Sequence, residues 1–127
     1  MTPEQKIKYE VLRKAYEWGA EELPALTGLN IDEIFDEYDE DSITDAMNEI
    51  RPGEFDTSGD IASCGSRHYE SSSVAMQVFD GSYVGWTYWY GGGKHAEPEA
   101  IDWMSEAYDL KCKIEEKTVV VRTFTAI

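Results

Sequence analysis

Apolar residues recur at helical spacing three times in the first half of the chain. Ile7, Val11, Ala15 and Trp18 form one stripe across residues 3–19, with charges on the other positions, the pattern of an amphipathic helix. Gly19 and Pro24 punctuate its end. Ile31, Ile34 and Phe35 predict a short second helix over 30–38, with Asn30 as N-cap and Glu33 three residues on as the partner in a capping box. Ile43, Ala46, Met47 and Ile50 predict a third helix over 42–51, stopped by Pro52-Gly53.

Beyond residue 67 the pattern changes. Residues 53–67 are rich in Gly, Ser, Asp and Thr and read as a loop. Strands are predicted over 68–78 and 82–90, joined around Asp80-Gly81. A two-residue Asp-Gly turn would pair Phe79 with Ser82. A three-residue loop, with Gly81 left-handed, would pair Val78 with Ser82. The second register is preferred because it places Val74, Met76, Val78, Val84, Trp86 and Tyr88 on one face. Tyr69, Tyr83 and Trp89 then stand on the opposite face beside Ser71, Ser73, Gln77 and Thr87. That face either meets a partner or is covered by residues 1–51.

Gly91-Gly92-Gly93 leads into a predicted helix over 97–108 with Pro98 in its first turn. LKCKI (110–114) alternates with period two, and TVVVRTF (118–124) closes the chain as a further strand. The fold class is therefore α+β: three N-terminal helices followed by a β-β-α-β-β antiparallel sheet unit. The 127 residues form one domain, with a helical, acidic half over 1–52 and a β-rich half over 67–127. Neither half is large enough to be comfortable alone.

Charge changes the picture most. The net charge is −15, and residues 1–60 hold 17 acids against 5 bases, where residues 61–127 hold 9 against 6. The densest stretch is DEIFDEYDEDSITD (32–45), with eight acids and no base. Such a balance repels nucleic acid and anionic membrane and favours partners that present Arg and Lys. Hydrophobic residues at 42% suffice for a core without disulfide or metal, and two cysteines, Cys64 and Cys112, do not make a secreted disulfide scaffold. The N-terminal residues carry no apolar targeting segment and no run of 18 apolar residues occurs, so a cytoplasmic location is expected.

On a helix, Asp32 and Asp36 are one turn apart, as are Glu33 and Glu37, and like charges at that spacing repel. An all-acid face therefore hints at a surface that imitates a row of phosphates and docks on a basic protein. The plainer alternative is a solubilising face. Calcium loop spacing fails: position three from Asp36 is Tyr38, and position five from Asp39 is Ile43. The stretch 22–35 has a faint helix-turn-helix outline, but its reading helix is acidic where DNA recognition needs Arg, Lys, Asn or Gln.

GGGKH (91–95) ahead of a helix suggests an anion loop, yet the P-loop spacing is absent and Glu97 and Glu99 would repel phosphate. The loop reads first as a flexible connector that lets Trp86 and Tyr88 pack, with Lys94 and His95 as candidates for contact with a partner. Cys64 and His68 stand four residues apart, an unspecific spacing, and paired zinc-ligand spacings are missing. No catalytic residue, metal or cofactor is expected.

The base-free run at 32–45, the short length and the aromatic WTYWYGGGKH block give the chain a style that resembles the small acidic inhibitors which phages carry against host defences, the anti-CRISPR type among them. The resemblance implies a nucleic-acid-handling host complex as partner, in the host cytoplasm, with the acids occupying its basic channel. The expected function is that of a non-enzymatic, nucleic-acid-mimicking inhibitor of a basic protein or nucleoprotein complex, binding neither nucleic acid nor membrane directly. The expected contacts are Asp32, Glu33, Asp36, Glu37, Asp39, Glu40, Asp41 and Asp45, with Tyr83, Trp89, Lys94 and His95. The alternatives are an immunity protein or antitoxin that neutralises a basic toxin, and a small enzyme using His95/Lys94 or Cys64/His68.

Overall fold

The computed structural model describes residues 1–57, 70–91, 98, 101–112 and 124. Helix α1 runs Pro3–Trp18. Thr2 caps it: the Gln5 N–H donates to Thr2 Oγ1 at 3.2 Å, and the Thr2 N–H donates back to Gln5 Oε1 at 3.0 Å. Pro3 at the first position supplies a preset φ where no amide partner is needed. Ile7, Val11, Leu12 and Ala15 are fully buried along its inner face.

Helices α2 (Ile31–Glu37) and α3 (Glu40–Ile50) follow. Asp39 caps α3, accepting from the Ser42 N–H at 3.1 Å and the Ser42 hydroxyl at 2.7 Å. Asn30 takes the N-cap position of α2, but no capping box forms. Its side chain turns back into the preceding loop, accepting from the Thr27 N–H at 2.7 Å and donating to Ala25 O at 3.0 Å. The local loop bonds win over the helix amides.

The sheet is antiparallel with strand order β1-β2-β3-β4, made of β1 (Phe55–Asp56), β2 (Glu70–Gln77), β3 (Tyr83–Tyr90) and β4 (Tyr108–Leu110). The molecule is thus α+β. The hairpin takes the three-residue loop: Val78 N–H donates to Ser82 O at 2.9 Å, and Gly81 has φ of 85°, a conformation that glycine adopts without strain. Val74 faces Trp86 and Met76 faces Val84 across the strands. Val74, Met76, Val78, Val84 and Trp86 are buried in one apolar cluster with α1 and α3.

Arg51, at the end of α3, fastens helix to sheet. Its carbonyl accepts from Trp86 Nε1 at 2.8 Å, its guanidinium donates to Trp89 O at 2.6 Å, and it stacks over Tyr88 at 5.0 Å.

The face of the hairpin opposite the helices is not open: Ser73, Ala75, Thr87 and Trp89 on it are buried. The helices pack on the Val74–Trp86 face instead, where Arg51 at the end of α3 meets Trp86 and Tyr88 and Lys6 of α1 reaches Ser82. Part of the cover over the opposite face comes from β4, whose Leu110 Cδ1 and Tyr108 Cε2 lie 2.7 Å from where a Cβ on Gly85 would stand. Gly85 makes room for them.

No helix forms over 101–107; the chain turns instead. The Ser105 N–H donates to Asp102 Oδ1 at 3.3 Å and Ala107 N–H to Met104 O at 3.1 Å. Adjacent Trp103 and Met104 are both buried, Trp103 with its ring 5.2 Å from Trp86, and an isolated turn can bury two neighbours that a one-sided helix would separate. The strand then begins at Tyr108, so among the described residues of LKCKI Leu110 is paired, while Lys111 and Cys112 lie past the end of the strand. β1 falls inside the stretch read as loop. Cys64, His68, Tyr69, Lys94, His95, residues 113–123 and 125–127 lie outside the described residues. Among the described residues no helix is long and apolar enough to cross a membrane.

Candidate interaction surface

The acids at 32–45 come to the surface because the apolar residues between them go inward. Ile31 is fully buried, and Ile43, Ala46 and Ile50 fix the inner face of α3. Tyr38, at the junction of α2 and α3, stacks on Tyr16 of α1 with ring centroids 4.5 Å apart. With those anchors set, Asp32, Glu33, Asp36, Glu37, Asp39, Glu40, Asp41 and Asp45 are all exposed.

The eight are not equivalent. Asp32 accepts from Lys8 Nζ at 2.9 Å and from Gln5 Nε2 at 3.2 Å. Those bonds from Lys8 and then Gln5 hold its carboxyl below the ordinary range. Lys8 also sits 5.1 Å over the Phe35 ring, so Asp32 ties α2 to α1. Asp39 is held below the usual range by the Ser42 hydroxyl and then the Ser42 amide, as a helix cap. These two acids hold the fold together locally.

The other six, Glu33, Asp36, Glu37, Glu40, Asp41 and Asp45, have no ion pair among the described residues. Asp36 and Glu37 lie in the last turn of α2, which carries no base. The helix dipole favours cations there, so these two carboxylates work against their own helix. Glu40 and Asp41 lie in the first turn of α3, where the dipole favours them. Leu29, in the turn before α2, is 98% exposed, and places an apolar side chain beside the acids.

Of the two aromatic candidates, Trp89 is buried and so does not present its ring to a partner, while Tyr83 is half-buried. Tyr83 lies 6.1 Å from Phe55, and its bond to the exposed Cys112 thiol pushes the phenol above its ordinary range. Cys112 is free. Lys94 and His95 lie outside the described residues. Among the described residues no group of acids, histidines or cysteines is arranged to hold a metal ion.

Sequence reasoning missed Glu10. It lies on α1 between the buried Ile7 and Val11 and is itself only 3% exposed. The signal was in the spacing, since position 10 falls on the same helical face as positions 7 and 11.

Compared with known proteins, the chain matches no family model, no curated protein and no solved structure.

Proposed function

We propose that this protein is a non-enzymatic, acidic binding protein that occupies the nucleic-acid site of a basic protein or nucleoprotein complex, and so inhibits it, in the cytoplasm. The observation that carries this reading is the set of six exposed carboxylates, without an ion pair among the described residues, on α2 and the N-terminal half of α3, two of them at a helix end that disfavours them. A merely solubilising surface gains nothing from acids at that end; a phosphate-like surface needs them close together regardless of the cost to the helix. Leu29 adds an apolar contact at the edge, of the kind that gives a charged surface selectivity.

The test separates mimicry from charge alone. The wild-type chain, immobilised, captures its partner from a bacterial lysate, and duplex DNA added afterwards releases it. A variant with Asp36, Glu37, Glu40 and Asp41 all changed to Lys captures nothing, with its circular dichroism unchanged. Asp39 is left in place because it caps α3. Capture that survives the four changes, or that DNA does not compete, contradicts the proposal.

A further inference from the structure

A cleft of about 230 Å³ opens between the second half of α1, the end of α3 and the segment leading into β1. Glu10 lines it from the inside and is 3% exposed. One of its oxygens, Oε1, has no hydrogen-bond partner among the described residues, while the carboxylate otherwise meets Arg13 and the Phe79 amide. A buried carboxylate with an unmatched oxygen is costly, and a charged donor entering the cleft would satisfy it. Glu17, Glu49 and Glu54 stand around the opening and are exposed, against Arg13 and Lys14 as bases. Ile50 and Met76 supply buried apolar wall.

The chemistry of these walls suits a cation on an aliphatic stem. Because no group of carboxylates among the described residues is arranged for a metal ion, a compact divalent cation does not fit. A guanidinium does: it is planar, weakly hydrated, and reaches more than one carboxylate at once. Its methylene stem lies naturally against Ile50 and Met76.

The cleft is also continuous with the acidic surface. Asp41, Asp45 and Glu49 follow one another at four-residue spacing on α3, so they form a stripe from the unpaired acids to the cleft opening. We infer that this cleft is a binding site for the guanidinium of an arginine side chain, with Glu10 as the inner acceptor and Glu49 and Glu54 at the opening. The proposed function is needed only to say that a protein partner supplies the arginine; the site itself stands on the cleft and Glu10.

Arginine binding draws Glu10 into its ionised form. Burial holds the Glu10 carboxyl above its ordinary range, opposed by Arg13 and the Phe79 amide and reinforced by Glu54. Affinity therefore rises as the pH rises through the Glu10 titration, with Lys14, Glu17 and Glu49 also facing the cleft.

The full-length chain, labelled with nitrogen-15, is titrated with N-acetyl-arginine amide and, separately, with the uncharged isostere N-acetyl-citrulline amide. The arginine compound shifts the amides of Ile50, Gly53 and Glu54 saturably, with an affinity on the order of 1 mM, and the citrulline compound does not. Glu10→Gln weakens the arginine titration about tenfold or more. A Glu49→Gln/Glu54→Gln double variant, altered only at exposed positions, weakens it as well and serves should Glu10→Gln unfold the chain. Equal shifts from citrulline, undiminished binding in both variants, or shifts confined to residues 32–45 overturn the inference. None of these outcomes depends on whether a partner is captured from a lysate.

Discussion

Glu10 sits in surroundings that oppose its charge. Burial is the largest influence on it and raises its pKa above the ordinary 4.5, despite the Arg13 contact. Because the folded value is the higher one, the folded chain holds the proton at pH values where the unfolded chain has lost it. Folding stability therefore falls as the pH rises from the unfolded value through the folded one, and the loss is complete above it. Glu10→Gln removes that dependence. Urea unfolding of both proteins at pH 5 and pH 8 checks it: the stability of Glu10→Gln relative to wild type increases at the higher pH. A relative decrease would mean that the ionised carboxylate stabilises the fold.

Other residues show how far single positions could be read. Asn30 and Glu33 have the letters of a capping box, yet Asn30 serves the loop at 25–27, because letters alone do not say which amides are nearest. Thr2 and Gln5 form the true box, one that the apolar stripe of α1 did not bring to notice.

At the level of elements, hairpin register was legible because only one loop length puts Val74, Met76, Val78, Val84 and Trp86 together, and burying that face fixes the alternation. The segment 101–107 was misread for a related reason. Ile101 and Met104 have helical spacing, but Trp103 beside Met104 is also buried, and a one-dimensional pattern does not reveal that both neighbours have a place in the core. The covered second face was hidden too, since Gly85 looks like a weak point in a strand until Tyr108 and Leu110 are seen over it.

Two expected outcomes belong to this scale. Gly85→Ala inserts a methyl 2.7 Å from the Leu110 and Tyr108 side chains, and denaturant titration should show a loss of about 1–3 kcal/mol. An unchanged midpoint would mean that β4 moves aside freely. Conversely, Asp36→Lys with Glu37→Lys puts cations at the C-terminus of α2 and removes two like-charge contacts with Asp32 and Glu33. That variant should gain about 0.5 kcal/mol per change, seen as a higher midpoint in thermal unfolding. A lower midpoint would show that these acids serve the fold, which would remove the main argument for a binding role.

Over the whole molecule the charge is divided unevenly, with the helical half carrying most of the net −15. That much is evident from the chain alone. What the fold adds is a sorting of the eight acids: Asp32 and Asp39 serve the structure, and six have no ion pair among the described residues, on one pair of short helices joined at Tyr38. It also moves the interest of the sheet side. Trp89 turns out to be buried, and the cleft at Glu10 joins the acidic stripe of α3 instead. On the proposed function the attraction is electrostatic in range and steep in salt, with selectivity supplied by Leu29 and by the cleft proposed to accept arginine.

The most direct measurement is capture by the wild-type chain and by the Asp36/Glu37/Glu40/Asp41→Lys variant, side by side, with duplex DNA as competitor and at low and high salt. Wild type is expected to capture a nucleic-acid-binding protein at low salt and to release it to DNA or high salt, and the folded variant to capture nothing. Equal capture by the two chains, or a captured protein that DNA leaves in place, would contradict the proposed function.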